Sequence, residues 1–91
     1  MTKVINVEIF TAPNCNQCGR AVTLVQSVVE EIGNDRIQWR RVDVVAELDH
    51  AVAMGVRATP AIAIDGKLVF TALPRKQRLR QALRQQGESL S

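Results

Sequence analysis

The chain has 91 residues, 46% of them apolar and 23% charged, with a net charge of +3. That length makes one domain near the lower limit for a sizeable core, and no run approaches the ~20 apolar residues that a membrane span needs. Residues 75–91 carry five basic and one acidic side chain, against seven basic and eight acidic before them. The excess therefore lies wholly in the last stretch, which argues against a protein built around nucleic acid. Met1-Thr2-Lys3-Val4 leads straight into a strand-like run, without the apolar segment of a signal peptide. The expectation is one soluble, cytoplasmic domain over residues 1–91, with no membrane partner.

Val4 to Phe10 is a partly alternating, β-branched run and predicts a first strand. Pro13 breaks it, and from Gln17 to Ile32 the residues Val22, Val25, Val28, Val29 and Ile32 recur at helical spacing, with Gly33-Asn34 as a stop signal. Ile37 to Val44 predicts a second strand, parallel to the first across a βαβ connection. Glu47 to Met54 predicts a short helix that Gly55 ends. Ala61 to Ile64 and Lys67 to Phe70 flank Asp65-Gly66, a favoured two-residue hairpin turn. Pro74 suits the first turn of a last helix, whose apolar stripe is Leu79, Ala82 and Leu83; Gly87 and the Ser-rich tail end it. The predicted order is β-α-β-α-β-β-α, an α/β fold.

Both cysteines, Cys15 and Cys18, sit two residues apart at the first strand–helix junction. A thiol there faces unpaired backbone N–H groups and the positive end of the helix dipole, which favour thiolate. A second thiol one turn away can close a disulfide by exchange. The same pair also reads as two ligands of a metal site, but zinc usually takes four. His50 is the single histidine, and beside the two cysteines two carboxylates or a second chain would have to complete the shell. Thr59-Pro60 stands at the start of the third strand, where a residue with no N–H to give the ladder is tolerated.

Cys15 and Cys18 after strand one, Thr59-Pro60 before strand three and the Asp65-Gly66 hairpin together resemble the thioredoxin-like superfamily, in particular its small glutaredoxin-like members. The resemblance covers nearly the whole chain in element order and implies a four-stranded mixed sheet flanked by helices. It implies a thiol–disulfide oxidoreductase acting through a mixed disulfide, with a Cys15–Cys18 redox disulfide and no other cofactor or metal. By that resemblance Cys15 is the attacking thiolate and Cys18 resolves. Pro60 is cis and faces the pair, Thr59 offers its backbone to a substrate segment, and Asn14 flanks the motif as a third substrate contact. The implied partners are a disulfide-bearing protein or small thiol, and a thiol reductant or reductase, for a monomer.

The chain departs from its better-known relatives. Thioredoxins often read Trp-Cys-Gly-Pro-Cys and glutaredoxins Cys-Pro-Tyr-Cys, whereas here Asn14 precedes the motif and Asn16-Gln17 fill it. The buried acid of thioredoxins aligns with Ile9, and Glu8 is expected on the opposite face. The glutathione-holding Gly-Gly-x-Asp of glutaredoxins aligns with Thr71-Ala72-Leu73-Pro74. Arg20, Arg57 and His50 read as surface residues, and Trp39 as packing under a helix. Two other readings remain open on the residues alone. One is a copper- or zinc-binding Cys-x-x-Cys module, although small copper carriers lack a helix at Glu47–Met54. The other is a thioredoxin-fold interaction domain without catalysis.

Overall fold

The computed structural model describes residues 4–33 and 35–88, with the side chains of residues 87 and 88 left aside. Asn34 of the predicted stop signal and the serines of the tail lie outside the described residues. The elements are β1 (Ile5–Thr11), α1 (Cys18–Ile32), β2 (Ile37–Asp43), α2 (Leu48–Met54), β3 (Ala61–Ile64), β4 (Lys67–Phe70) and α3 (Lys76–Glu88). Their order is the predicted one. The strands form one sheet in the order β2-β1-β3-β4. β1 runs parallel to β2 and antiparallel to β3, which pairs antiparallel with β4. This is the mixed sheet that the resemblance implies.

β1 is the central strand, paired on both edges, and it places apolar residues on both faces, although the second face also carries the exposed Asn6 and the half-buried Glu8. Ile5, Val7 and Ile9 face one side and join Ile62 and Ile64 of β3, Ala21, Val25, Val28 and Val29 of α1, and Leu79 and Leu83 of α3. Phe10 faces the other side, with Val42, Ala61, Ala63 and Ala51 of α2. Full burial of a side chain such as Ile9 or Phe10 stabilises by about 1.5–3 kcal/mol. Trp39 of β2 is half-buried against the first cluster, as expected of a residue beneath a helix. Two helices thus cover one face and the short α2 covers the other.

The starts of β1, α1 and α2 and the end of β2 each differ from the sequence reading by one residue, and three further boundaries differ for a backbone reason. β1 extends to Thr11 because that residue still pairs with Asp43. In α3 the first helical bond runs from the Leu79 N–H to the Arg75 carbonyl, at 3.1 Å, so Pro74 stands ahead of the helix rather than in its first turn. Gly87 does not end α3, which continues to Glu88. The hairpin is as predicted, with Asp65 (φ 50°) and Gly66 (φ 80°) both left-handed. Asp65 also exchanges bonds with Asn6 of β1, donating its N–H to the Asn6 carbonyl at 2.7 Å and accepting the Asn6 N–H at 2.8 Å. The turn is thereby tied to the start of the central strand.

α1 and α3 are clasped by Glu31, which takes Lys76 Nζ at 2.9 Å and Arg80 Nε at 2.8 Å. These bonds, from Arg80 first and Lys76 second, lower the Glu31 carboxyl from 4.5 to about 2. A depressed acid contributes stability that is present above its unfolded pKa and lost as pH falls through the folded one. Acid unfolding of the wild type between pH 4.5 and about 2 should therefore include a limb that Glu31→Gln lacks. In a denaturant series the difference between the two should be present at neutral pH, fade across that window, and shrink at high salt because the cluster is exposed.

Candidate active site

The chain leaves β1 at Thr11 and reaches α1 through Ala12 to Gln17. Asn14 has φ 61°, a left-handed conformation that asparagine tolerates better than most residues with a Cβ. This is the turn that brings Cys15 in front of the helix. Gln17 is the N-cap, and it makes no side-chain capping bond; the first turn of α1 holds no acid. The first turn of α1 therefore carries no carboxylate of its own to offset the helix's positive end.

Cys15 and Cys18 form a disulfide, with Cα atoms 5.5 Å apart. Their environments differ. Cys18 is the first residue of α1 and heads its buried stripe, followed by Ala21, Val25, Val28 and Val29 at helical spacing. It is 2% exposed. Cys15 lies off the helix and is partly exposed, between the exposed Asn14 and Asn16. One sulfur is open to an incoming group and the other is held in the core.

The sheet register brings the second predicted segment to the same end. Phe10 pairs with Ala61, so Pro60 lies just beyond β3 beside the end of β1, where the chain departs towards Cys15. The Thr59–Pro60 peptide bond is cis; Pro60 is buried and Thr59 half-buried. Asn14, Cys15, Cys18, Thr59 and Pro60 thus share one end of the sheet. Arg20 and Arg57 are exposed, as expected.

Glu8 is on the opposite face, as its alternation with Ile9 predicts. It accepts Arg40 Nη2 at 2.9 Å and pairs with His50 Nε2 at 2.7 Å. Ile9, on the face of α1, is fully buried in the apolar cluster. The position where thioredoxins carry a buried acid is here part of the hydrocarbon core. His50 is not the free surface residue that the sequence suggested. It bridges from α2 to β1, and its ring lies 5.7 Å from that of Phe10. The Glu8–His50 pairing was missed because its partners are 42 residues apart; the signal was Glu8 itself, a lone carboxylate within an apolar strand. Among the described residues no group of three His, Cys, Asp or Glu is placed to hold a metal ion, and no helix is long and apolar enough to cross a membrane.

A family model described as the thioredoxin domain matches residues 5–84. The chain is 34% identical over 85 residues to a probable thioredoxin of Methanothermobacter thermautotrophicus, covering 93% of this chain and 99% of that protein. It is 32% identical over 84 residues to a thioredoxin of Methanocaldococcus jannaschii, covering 92% and 96%. Among solved structures, a mutant thioredoxin from Halobacterium salinarum superposes with a TM-score of 0.78 at 21% identity, covering 93% of this chain and 76% of that one. Mitochondrial thioredoxin 3 from Saccharomyces cerevisiae, in its oxidized form, gives 0.72 at 18% identity, covering 91% and 79%. At such identities the structural likeness speaks for the fold alone.

The turn before Cys15 sets a direct test. Asn14→Gly should keep the stability of the oxidised protein within a few tenths of a kcal/mol, while Asn14→Val should lose about 1–2 kcal/mol through the left-handed penalty. Urea midpoints of the three proteins measure both.

Proposed function

The chain belongs to the thioredoxin domain family and is a thiol–disulfide oxidoreductase, and from that premise we propose that Cys15 is its attacking thiolate and Cys18 its resolving thiol. The observation that carries the assignment is the asymmetry of the pair, with a partly exposed Cys15 in front of an uncapped helix and a Cys18 buried as the first residue of that helix.

The reaction balances without a further cofactor. The Cys15 thiolate attacks one sulfur of a substrate disulfide, forming a Cys15–substrate disulfide and releasing the other substrate sulfur as thiolate. Cys18, on losing its proton, attacks the Cys15 sulfur and releases the second substrate thiolate. The products are a substrate dithiol and the Cys15–Cys18 disulfide, the form seen here. Two electrons have passed to the substrate, and a dithiol reductant or a reductase returns them by the reverse exchange. No carboxylate stands at Ile9, so water and the departing substrate thiolate take the Cys18 proton.

Asn14, Thr59 and Pro60 are the substrate contacts in this reading. Asn14 is exposed beside Cys15, and Thr59 lies at the same sheet end with its backbone outside the strand ladder, suited to pairing with an extended segment. The substrates are disulfide-bearing proteins, and the protein acts as a monomeric domain over residues 1–91 in the reducing cytoplasm. The helix α2 between β2 and β3 favours this over a copper carrier, and the family over a non-catalytic interaction domain.

The trap experiment separates the two roles. Cys18→Ser should accumulate a covalent adduct with a disulfide substrate, seen by intact mass and released by dithiothreitol. Cys15→Ser should form none and reduce nothing. Adducts that form on Cys18 in the Cys15→Ser protein, at the rate seen for Cys15, would reverse the assignment.

A further inference from the structure

Three stripes run along α3 at helical spacing. Leu79 and Leu83 enter the core. Lys76 and Arg80 turn towards α1 and are both held by Glu31. Arg78 and Gln81, with Arg75 just ahead of the helix, flank the other side, where they line a groove of about 670 Å³ with Val69, Leu73 and Pro74. No acidic residue lines this groove. Among the described residues neither Arg75 nor Arg78 has an ion-pair partner. Both are exposed.

The groove's position is set by the sheet. Ile62 pairs with Phe70 and Phe10 with Ala61, so the chain leaves β4 at the end where β1 departs towards Cys15. The segment from Thr71 to Arg75 crosses that end before α3 begins. The groove therefore opens at the dithiol end of the molecule. Its outer wall is β4, the edge strand, where Val69 is 42% exposed.

We propose that this groove is the docking track for an acidic, extended segment of the disulfide substrate, with carboxylates on Arg75 and Arg78 and an apolar side chain against Val69 and Leu73. The proposal rests on the dithiol function above and adds the class of protein substrate to it. Charge complementarity selects the occupant: two guanidinium groups without an ion-pair partner, a groove free of acids, and basic Arg20 and Arg57 near the two motifs in sequence, whereas Asp43 at the same sheet end lies on β2, the edge away from β4. Guanidinium groups at a partly apolar surface suit carboxylates, which they bind by paired N–H donors. Such pairs at an exposed site act on encounter rate and selectivity, and salt weakens them.

The test uses two disulfide peptides alike except that one carries aspartates and the other asparagines on one side of the cysteine. Each turnover is normalised to reduction of the same peptide by dithiothreitol alone. The wild type should favour the acidic peptide by about fivefold in kcat/KM at low salt, the size expected of two exposed ion pairs, and lose that preference at high salt. Arg75→Glu/Arg78→Glu should abolish or invert the ratio. Arg36→Glu, the same kind of charge change at the other end of the sheet, should retain it. Equal wild-type rates on the two peptides would overturn the docking track while leaving the dithiol chemistry standing. A single Arg78→Glu protein matches Arg36→Glu in charge change, and equal loss of preference in these two would also overturn it, by showing a net-charge effect. So would inhibition by a single-stranded oligonucleotide without any peptide preference, which would make the groove a nucleic-acid surface. Failure to reduce either peptide by the reduced protein would overturn the docking track and the dithiol function together.

Discussion

Everything at the dithiol end depends on how β1 is held. The strand is paired on both edges, parallel to β2 and antiparallel to β3, with Ile5, Val7 and Ile9 buried on one face and Phe10 on the other. Its C-terminal end is therefore fixed in register against Asp43 on one side and Ala61 on the other. The turn through Asn14 starts from that fixed point, and Pro60 stands beside it. A one-residue slip of β1 would turn Ile9 away from the α1 core and move the cysteines relative to Pro60. Burial of Ile9, Phe10 and Ile62 opposes such a slip more strongly than any polar contact at the site.

The second determinant is the start of α1. Cys18 occupies a core position on the helix stripe, so the helix cannot rotate without exposing it and its apolar neighbours. Cys15, two residues ahead of the N-cap, is left at the surface. The dipole of a helix is worth about 0.3–1 kcal/mol to a nearby anion. Bringing a thiol from about 8.5 to about 7 takes roughly 2 kcal/mol. The remainder falls to direct N–H bonds from the turn and first helical residues, which no side chain of Gln17 occupies. On the proposed roles, the uncapped helix end is what would receive the Cys15 thiolate. The Ile9 position adds nothing polar on the α1 face.

Much of this was legible in the residues. The alternation in β1, the valine spacing in α1 and the Asp65-Gly66 turn each report a local period or a local backbone preference, and they placed the elements to within a residue or two. The cysteine pair and Thr59-Pro60 were visible as motifs, and their shared sheet end followed from strand order. What was not legible were contacts between segments far apart in the chain. Glu31 gives no sign in the sequence of meeting Lys76 and Arg80, nor does Glu8 of meeting His50. Both depend on which helix covers which face. The start of α3 was misplaced because proline is compatible with the first turn and equally with the residue before the cap. The continuation through Gly87 shows that a glycine near a helix end permits a stop without imposing one.

The proposed roles require unequal chemistry of the two thiols, and ionisation measures it most directly. Thiolate absorbance in the ultraviolet should be followed against pH in the reduced single-cysteine proteins Cys18→Ala and Cys15→Ala, so that the two titrations are not coupled. On the proposed roles Cys15 should ionise below the ordinary ~8.5 of a free thiol and Cys18 above it. A Cys15 midpoint at or above that of Cys18 would contradict them.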